Sequence, residues 1–186
     1  MTLIELKQNS MLMVEGSRFD KRAIARITSQ RGKFVPTKMI ALLVAIEDYA
    51  ELRRLRDFKG FKNLNKLRYD RAKLKQGLKC LGFKDEDIRV LDDPSWKVFA
   101  KAMNKIVSDC GEHYKETNGN GKSFVLIQYG GHGIQHNYTF ALCNTIERKR
   151  IVYPIEQKTR NIGSLKGTYV MGLFDCCREK MTIDEV

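Results

Sequence analysis

The sequence predicts an α/β fold in which helices cover both faces of a mostly parallel sheet, giving three α/β/α layers. The prediction rests first on three apolar runs, each with the length and composition of a buried parallel strand: Met39–Ile46, Phe124–Tyr129 and Tyr169–Phe174. It rests secondly on the segments between these runs, in which apolar residues recur at helical spacing. A chain of 186 residues with 42% apolar side chains is long enough to bury the core of one such domain.

Composition bears on the partners, the thiol state and the location that the sequence predicts. The chain carries 34 Lys and Arg residues against 22 Asp and Glu, and its net charge of +12 would suit a nucleic acid or an anionic membrane surface. A solvated basic surface is the simpler interpretation, so nucleic-acid binding is not expected. Five cysteines, an odd number at no disulfide spacing, predict reduced thiols in an intracellular, cytoplasmic protein. No apolar run has the length of a membrane-spanning helix.

Residues 1–37 are predicted to form an N-terminal extension, and residues 38–186 the domain. Within the extension, Leu3–Leu6 and Ser10–Val14 have the composition of short strands, while Arg18–Arg31 is basic with helical spacing. A mitochondrial transit peptide would fit the basic stretch, but such peptides avoid the acidic residues that this region contains. The extension is therefore expected to pack on the domain or to lead into it.

The first apolar strand is followed by a basic loop, Arg53–Lys66, which we interpret as solvated surface, with phosphate binding as the alternative. A helix is predicted over Asp70–Leu81, because its leucines recur at i, i+4 and i+7 and Gly82 supplies a stop signal. Ile88–Leu91 then has the composition of a short strand.

Two more helices are predicted in the second half of the chain. Pro94 lies near the first turn of a long helix, whose apolar face includes Cys110 as a core residue. The alternation in Tyr138–Cys143 is typical of an edge hairpin. Pro154 opens a shorter helix before the last strand, with Glu156 at the positive end of the helix dipole.

The chemistry-bearing residues directly follow two of the apolar strands. Gly130-Gly131-His132-Gly133 comes after one, and Asp175-Cys176-Cys177-Arg178 after the other. Parallel strands place their carboxyl ends at one edge of a sheet, so a histidine and a cysteine are expected to meet there. A neighbouring histidine takes the proton of a thiol or stabilises the thiolate, which is the nucleophilic form. A core histidine and a core cysteine are the structural alternative.

Strand geometry does not choose between Cys176 and Cys177, because successive side chains point to opposite faces. The N–H of Gly133 is suited to stabilise an oxyanion together with that of Cys177, since glycine allows the backbone to approach a substrate closely. No metal site is expected, because the three histidines are scattered and the adjacent cysteines do not form a Cys-x-x-Cys pair.

Segments spread over Met39 to Arg178 resemble the caspase-like cysteine peptidases, which include caspases, paracaspases and metacaspases. The segments that carry the resemblance are Ala41–Tyr49, Tyr69–Leu74, Cys80–Phe83, Gly131–Gly133, Tyr153–Ile155 and Asp175–Arg178.

The last of these segments is similar to the family's nucleophile motif, in which a small residue precedes the catalytic cysteine. The resemblance therefore implies that Cys177 is the nucleophile, that Cys176 fills the small-residue position and that His132 is the catalytic histidine.

The resemblance also implies a substrate class. In metacaspases and paracaspases, an Asp before the small residue lines the pocket for the residue before the cut, and metacaspases use a second Asp from an Asn-Asp segment. Asp175 and Asp70 stand at these positions, and two carboxylates favour an Arg or Lys side chain. An ordinary acid at a helix N-terminus is the alternative for Asp70. Tyr69 and Glu179 depart from the family pattern, and both changes concern specificity more than chemistry.

No cofactor is expected. Calcium activation is a trait of many metacaspases and is implied here by the resemblance alone, because no run of acidic residues forms a calcium-binding loop.

Caspase-like peptidases continue past the nucleophile into a small subunit that adds two strands, whereas this sequence ends at Val186. Tyr169–Phe174 is therefore expected to be an unpaired sheet edge, to which a small-subunit-like or other protein partner binds. Three explanations are open: a large subunit that pairs with a separate small one, a shortened chain, or an inactive member that lends its edge to another protein.

The sequence thus favours a caspase-like cysteine endopeptidase that cleaves protein or peptide substrates after Arg or Lys. His132 and Cys177 would act as a dyad through a thioester acyl-enzyme. The alternative is a catalytically inactive subunit of the same fold that acts as a scaffold or assembly partner. The missing small subunit favours this alternative, and the intact His132/Cys177 pair opposes it.

Overall fold

The computed structural model describes residues 11–15, 35–55, 58–135, 139–147, 150–176 and 179–180. Within these ranges the strands are β1 (Met11–Glu15), β2 (Lys38–Ala45), β3 (Ile88–Asp92), β4 (Ser123–Gly131), β5 (Gly133–Gln135), β6 (Thr139–Glu147), β7 (Arg150–Tyr153), β8 (Thr168–Cys176) and β9 (Glu179–Lys180). The helices are α1 (Leu67–Cys80), α2 (Trp96–Glu116) and α3 (Ile155–Gly163), with 3₁₀ turns at Leu52–Arg54 and Asp85–Asp87.

A five-stranded sheet in the order β1-β8-β4-β2-β3 is the centre of the fold, and every neighbouring pair in it is parallel. Alternate residues of β2 enter the two cores on either side of this sheet. Ile40 and Leu42 pack in the core that includes residues of α2 and α3, while Ala41 and Leu43 pack with Leu78 of α1. The predicted three-layer α/β/α fold with a mostly parallel sheet is confirmed.

The element boundaries follow from local sequence. Continuous burial from Ile40 through Ala45 explains why β2 appears as an unbroken apolar run. Helix α1 begins at Leu67, three residues before the predicted start, directly after Lys66 in a left-handed conformation with φ of 73°. Helix α2 begins after Ser95, whose side chain accepts a hydrogen bond from the N–H of Val98. Neither these helices nor α3 is long and apolar enough to cross a membrane.

A second sheet, in the order β7-β6-β5-β9, extends from the carboxyl end of β4. Strand β5 follows β4 after His132 and pairs antiparallel with β6, and β6 pairs antiparallel with β7. Thr139–Cys143 of the weakly alternating segment lies in β6, while Tyr138 lies outside the described residues. The segment takes part in antiparallel pairing, but the predicted edge position is wrong, because β6 lies between β7 and β5.

The expectation that Tyr169–Phe174 forms an unpaired edge is wrong. Strand β1 pairs with β8 in parallel, in a register that runs from Met11 opposite Val170 to Glu15 opposite Phe174. An open apolar edge would leave backbone N–H and C=O groups without partners, and the chain supplies its own strand to cover them. The edge proposed for a protein partner is therefore occupied by β1.

Strand β1 also bears on the N-terminal extension. It coincides closely with the predicted strand Ser10–Val14 and adds a strand to the domain's main sheet. The other predicted elements of the extension, Leu3–Leu6 and Arg18–Arg31, lie outside the described residues.

Candidate active site

Strands β4 and β8 are neighbours and end together at the carboxyl edge of the main sheet. In their parallel register, Gly130 lies opposite Asp175 and Gly131 lies opposite Cys176. His132 is the residue that follows β4, and Cys177 is the residue that follows β8, although Cys177 lies outside the described residues. The fold therefore brings the histidine segment and the end of the cysteine strand to the same edge.

The main chain of His132 is held by one side chain from the segment after β2 and one from β4 itself. Its N–H donates to the Tyr49 hydroxyl at an N–O distance of 2.8 Å, and its carbonyl accepts from the Tyr129 hydroxyl. The N–H of Leu142 in β6 donates to the same carbonyl at 3.1 Å. This backbone segment is therefore fixed on both sides of the histidine Cα atom.

The imidazole of His132 is buried, with 9% of the residue exposed. Its Nε2 atom lies 2.8 Å from the carbonyl oxygen of Lys62, and its ring centroid lies 4.6 Å from the Tyr49 ring and 4.9 Å from the Phe61 ring. A carbonyl oxygen can only accept, so this hydrogen bond requires a proton on Nε2. In the neutral ring, Nδ1 is then the nitrogen that accepts a proton.

The loop that supplies the Lys62 carbonyl is tied to the segment after β2. The Oδ1 atom of Asn63 accepts from the N–H of Tyr49 at 2.9 Å, and its Nδ2 donates to Asp48 at 3.1 Å. The N–H of Leu64 donates to the carbonyl of Glu47 at 2.9 Å. These contacts place the carbonyl of Lys62 where the histidine ring reaches it.

A buried histidine therefore lies at the end of a parallel strand, with its ring hydrogen-bonded to a carbonyl. The sequence was also compared with models of known protein families. Residues 38–186 match the family of the caspase domain. The chain belongs to this family. No curated protein matches the sequence. The caspase domain is a family of cysteine peptidases, and the matched residues include His132, Cys176 and Cys177.

Acidic and basic side chains form a network at the carboxyl ends of β2 and β3 of this caspase domain. Arg68 of α1 pairs with Asp93 and, at 3.3 Å each, with Glu47 and Asp92. Although burial lowers the pKa of the Arg68 guanidinium, the carboxylates of Asp93, Asp92 and Glu47 outweigh this effect and raise that pKa. Arg71, itself buried, makes a two-pronged contact with Asp92.

Asp93 connects this network to the loop beside the histidine. Its Oδ1 atom accepts from the N–H groups of Glu47 and Asp48 at 2.7 and 3.0 Å, while its Oδ2 atom pairs with Arg68. Asp93 adopts a left-handed conformation, with φ of 41°. The acids that follow β2 and β3 are thus largely engaged by the arginines of α1 and by backbone N–H groups.

The two predicted substrate-binding carboxylates differ from these acids. Asp70 lies in the first turn of α1 and Asp175 near the end of β8, and both are exposed. Leu67, which begins α1, lies against Gly130, the residue opposite Asp175. Within the described part of the chain, neither carboxylate has a cationic partner within 4.0 Å.

Of the four cysteines in the described part of the chain, Cys80 is exposed at the end of α1, two are buried and one ends β8. Cys110 and Cys143 are buried, and burial raises the pKa of the Cys110 thiol, as expected for the predicted core residue. Cys176 ends β8 and is half-buried. Gly133, the predicted oxyanion residue, opens β5 directly after His132. The described residues contain no group of three or more His, Cys, Asp or Glu side chains arranged to hold a metal ion.

Sequence reasoning identified His132 but not the groups that orient it. The carbonyl of Lys62 leaves no side-chain signal, because any residue supplies a carbonyl. Tyr49 and Tyr129 lie at strand ends next to the motif segments, and their position was the only available signal.

Proposed function

We propose that this caspase domain is a cysteine endopeptidase in which His132 and Cys177 form the catalytic dyad. The hydrogen bond between His132 Nε2 and the Lys62 carbonyl supports the proposal most directly, since it keeps Nδ1 as the proton acceptor. The parallel register of β4 and β8 adds support, because it brings Cys176, the neighbour of the nucleophile, opposite Gly131.

The reaction follows from these roles. The sulfur of Cys177 attacks the carbonyl carbon of the scissile peptide bond, and its proton passes to Nδ1 of His132. The tetrahedral oxyanion is stabilised by the N–H groups of Gly133 and Cys177. When the carbon–nitrogen bond breaks, His132 returns the proton to the leaving amine, and a thioester remains. Water, activated by His132, hydrolyses the thioester and restores the thiol.

The proposed substrate has Arg or Lys before the cut. Asp70 and Asp175 support this specificity, because both carboxylates are exposed and lack a cation among the described residues, whereas the acids of the neighbouring network are paired with Arg68 and Arg71. A substrate guanidinium or ammonium group would supply the missing positive charge.

The alternative, an inactive scaffold, loses much of its support. It was favoured by the missing small subunit and by an open edge at β8 that would recruit another protein, and β1 pairs along that edge. The buried and oriented imidazole of His132 has a geometry that a purely structural subunit does not require.

The test is the intact mass of the chain after exposure to two acylating peptide probes, one with Arg and one with Asp before the reactive group. We expect the Arg probe to add one label at Cys177, located by peptide mapping. Cys177→Ala and His132→Ala should abolish the label, while Cys176→Ala should retain it. His113→Ala is the matched control, because His113 lies at the opposite edge of the sheet beside Thr37. Absence of labelling by either probe contradicts the proposed peptidase.

Specificity is tested with the same probes. Asp70→Asn and Asp175→Asn each remove one charge with little change in shape, and we expect both to slow labelling by the Arg probe without favouring the Asp probe. Asp85→Asn, which changes an exposed acid before β3, serves as the control for net charge. Equal labelling by all variants would contradict the roles of Asp70 and Asp175 and would leave the dyad intact.

A further inference from the structure

Two buried tyrosine hydroxyls meet at the main chain of His132. Tyr49 follows β2 and Tyr129 lies within β4, and neither side chain is exposed. The hydroxyl of Tyr49 accepts from the histidine N–H at 2.8 Å, and the hydroxyl of Tyr129 donates to the histidine carbonyl. The two hydroxyls lie near each other, because a single Cβ atom on Gly131 would contact both of them. Together they hold both peptide units that flank the histidine.

Burial keeps this group neutral. Removal from water raises the pKa of both Tyr49 and Tyr129 above the ordinary phenol range, so each retains its proton at any pH at which a peptidase works. A protonated phenol can both donate and accept, which lets one hydroxyl satisfy an N–H and the other a C=O. An aliphatic or Phe side chain in either position would leave a buried backbone group of His132 without that partner.

The absence of a side chain on Gly131 leaves room for the two tyrosine hydroxyls beside the backbone of His132. A Cβ atom on this residue would lie 2.5 Å from the Tyr129 hydroxyl oxygen and 2.7 Å from that of Tyr49. Both oxygens belong to fully buried rings, so neither can move aside easily. The glycine before the histidine is therefore required by the tyrosine pair, in addition to any role in approaching substrate.

We infer that Tyr49 and Tyr129 are positioning residues that set the orientation of the His132 imidazole. The inference rests on the proposed function for its catalytic consequence. The hydroxyls fix the backbone on both sides of the Cα atom, and the Tyr49 ring packs 4.6 Å from the imidazole. The Lys62 carbonyl can then accept a hydrogen bond from Nε2 only in one ring orientation. Misplacement of a reacting group by about 1 Å costs on the order of 100-fold in rate.

Tyr153 provides a matched control. It is a third buried tyrosine, with 1% of the residue exposed, and its ring stacks on Phe99 at a centroid distance of 4.5 Å. Removal of its hydroxyl also changes a buried phenol, but one whose ring packs against Phe99 and Trp96. A purely structural role for buried hydroxyls predicts similar behaviour for all three tyrosines.

The experiment compares Tyr49→Phe, Tyr129→Phe and Tyr153→Phe in the full chain, with kcat and KM measured on a cleavable peptide that has the sequence of the Arg probe. We expect kcat to fall by about 10- to 100-fold in the first two variants, with KM nearly unchanged, because ring orientation and not substrate binding is altered. Tyr153→Phe should keep the original kcat. If all three variants lose kcat only in proportion to their loss of thermal stability, the inference is overturned.

A second readout is independent of catalysis. Hydrogen exchange of the His132 backbone amide, followed by NMR, should accelerate by at least about 10-fold in Tyr49→Phe, because the N–H loses its acceptor. The amide should exchange at its original rate in Tyr153→Phe. A chain that cleaves no peptide would defeat the proposed function alone, whereas unchanged amide exchange in Tyr49→Phe would defeat the positioning role alone.

Discussion

His132 and His113 lie at opposite edges of the same parallel sheet, and their hydrogen bonds differ in kind. At the carboxyl edge, the ring of His132 contacts a backbone carbonyl, that of Lys62. At the amino edge, the Nε2 atom of His113 lies 2.8 Å from the hydroxyl of Thr37, just before β2. The same hydroxyl accepts from the N–H of Lys122 at 3.0 Å and is placed to donate to its carbonyl at 3.2 Å.

The difference concerns the proton on the ring. A carbonyl accepts only, so the contact of His132 selects one tautomer. The single proton of the Thr37 hydroxyl can point either to the Lys122 carbonyl or to Nε2 of His113, so the contact of His113 does not by itself fix a tautomer. His132 is also buried, while His113 is partly exposed at the end of α2. The amino edge therefore uses its histidine to join α2 to the segment before β2. The carboxyl edge presents one defined nitrogen, which general acid–base chemistry requires.

The largest expected effect separates the two histidines directly. His132→Ala should lower kcat/KM for the Arg peptide by about 10²- to 10⁴-fold, the range for loss of a general acid–base. His113→Ala should leave kcat/KM nearly unchanged and lower the free energy of unfolding by about 1 kcal/mol, because one hydrogen bond is lost. Steady-state kinetics and urea unfolding measure the two quantities. Comparable kinetic losses in both variants would remove the distinction between the two edges.

The second prediction concerns the glycine that admits the tyrosine pair. Gly131→Ala should lower the free energy of unfolding by about 1–3 kcal/mol, since its Cβ atom overlaps two buried hydroxyl oxygens. Gly111→Ala in α2 is the control, because no atom lies within 4 Å of the added Cβ. There we expect a gain of about 0.5–1 kcal/mol, from the better helix propensity of alanine. Urea midpoints at constant m-value measure both changes in the free energy of unfolding. An unchanged free energy in Gly131→Ala would contradict the prediction, because the two hydroxyls would then have room to move away from the added Cβ atom.

The third prediction concerns Asp93, which fixes the loop after β2. Asp93→Ala removes the acceptor for two backbone N–H groups and should cost about 1–3 kcal/mol of stability. Asp93→Asn keeps an acceptor oxygen and tolerates the left-handed conformation, so it loses mainly the ion pair with Arg68, worth at most about 1 kcal/mol. At the amino edge, Thr37→Val should cost about 1 kcal/mol. Thermal unfolding compares the stabilities of these three variants. An Asp93→Ala variant that is at least as stable as Thr37→Val contradicts the prediction.

The same comparison explains how far the sequence predicts the fold. Strands β2, β4 and β8 lie inside the sheet with both faces covered, so their burial appears in the sequence as continuous apolar runs. The pairing of β1 with β8 was not predicted, although a strand was expected near β1. A short strand specifies its own conformation, but its partner is chosen by contacts about 160 residues away in sequence, for which spacing gives no signal.

The candidate site also contains residues that the sequence predicts and residues that it does not. His132 was predictable because its position after an apolar strand and between glycines is a local pattern. Its orienting groups are non-local: Tyr49 is separated from it by 83 positions, and Lys62 by 70. Lys62 acts through its backbone, which carries no information about residue type. Sequence therefore predicts which side chain at this edge would react, while the structure shows which groups contact it.

The smallest expected effect is a difference in acid stability between the two edges. Glu156 of α3 accepts from the N–H and hydroxyl of Thr139, each at 2.9 Å, and from Arg160 at 2.7 Å, and so anchors the start of β6. Burial raises the pKa of its carboxyl, but the hydrogen bonds from Arg160 and Thr139 outweigh burial and lower that pKa. At the amino edge, hydrogen bonds from Lys75 and Lys79 lower the pKa of Asp85, which is largely exposed.

A carboxyl whose pKa is lowered on folding stabilises the protein above its unfolded-state pKa, and that contribution is lost as the pH falls through the folded-state pKa. Glu156 should therefore contribute on the order of 1 kcal/mol at neutral pH that disappears below about pH 4. Glu156→Gln should flatten the acid limb of the stability curve, measured by urea unfolding between about pH 3 and pH 7. Asp85→Asn should leave that limb nearly unchanged, because solvent screens its exposed ion pairs. If Asp85→Asn flattened the acid limb and Glu156→Gln did not, the prediction would be wrong. The acid-sensitive contact would then lie at the amino edge.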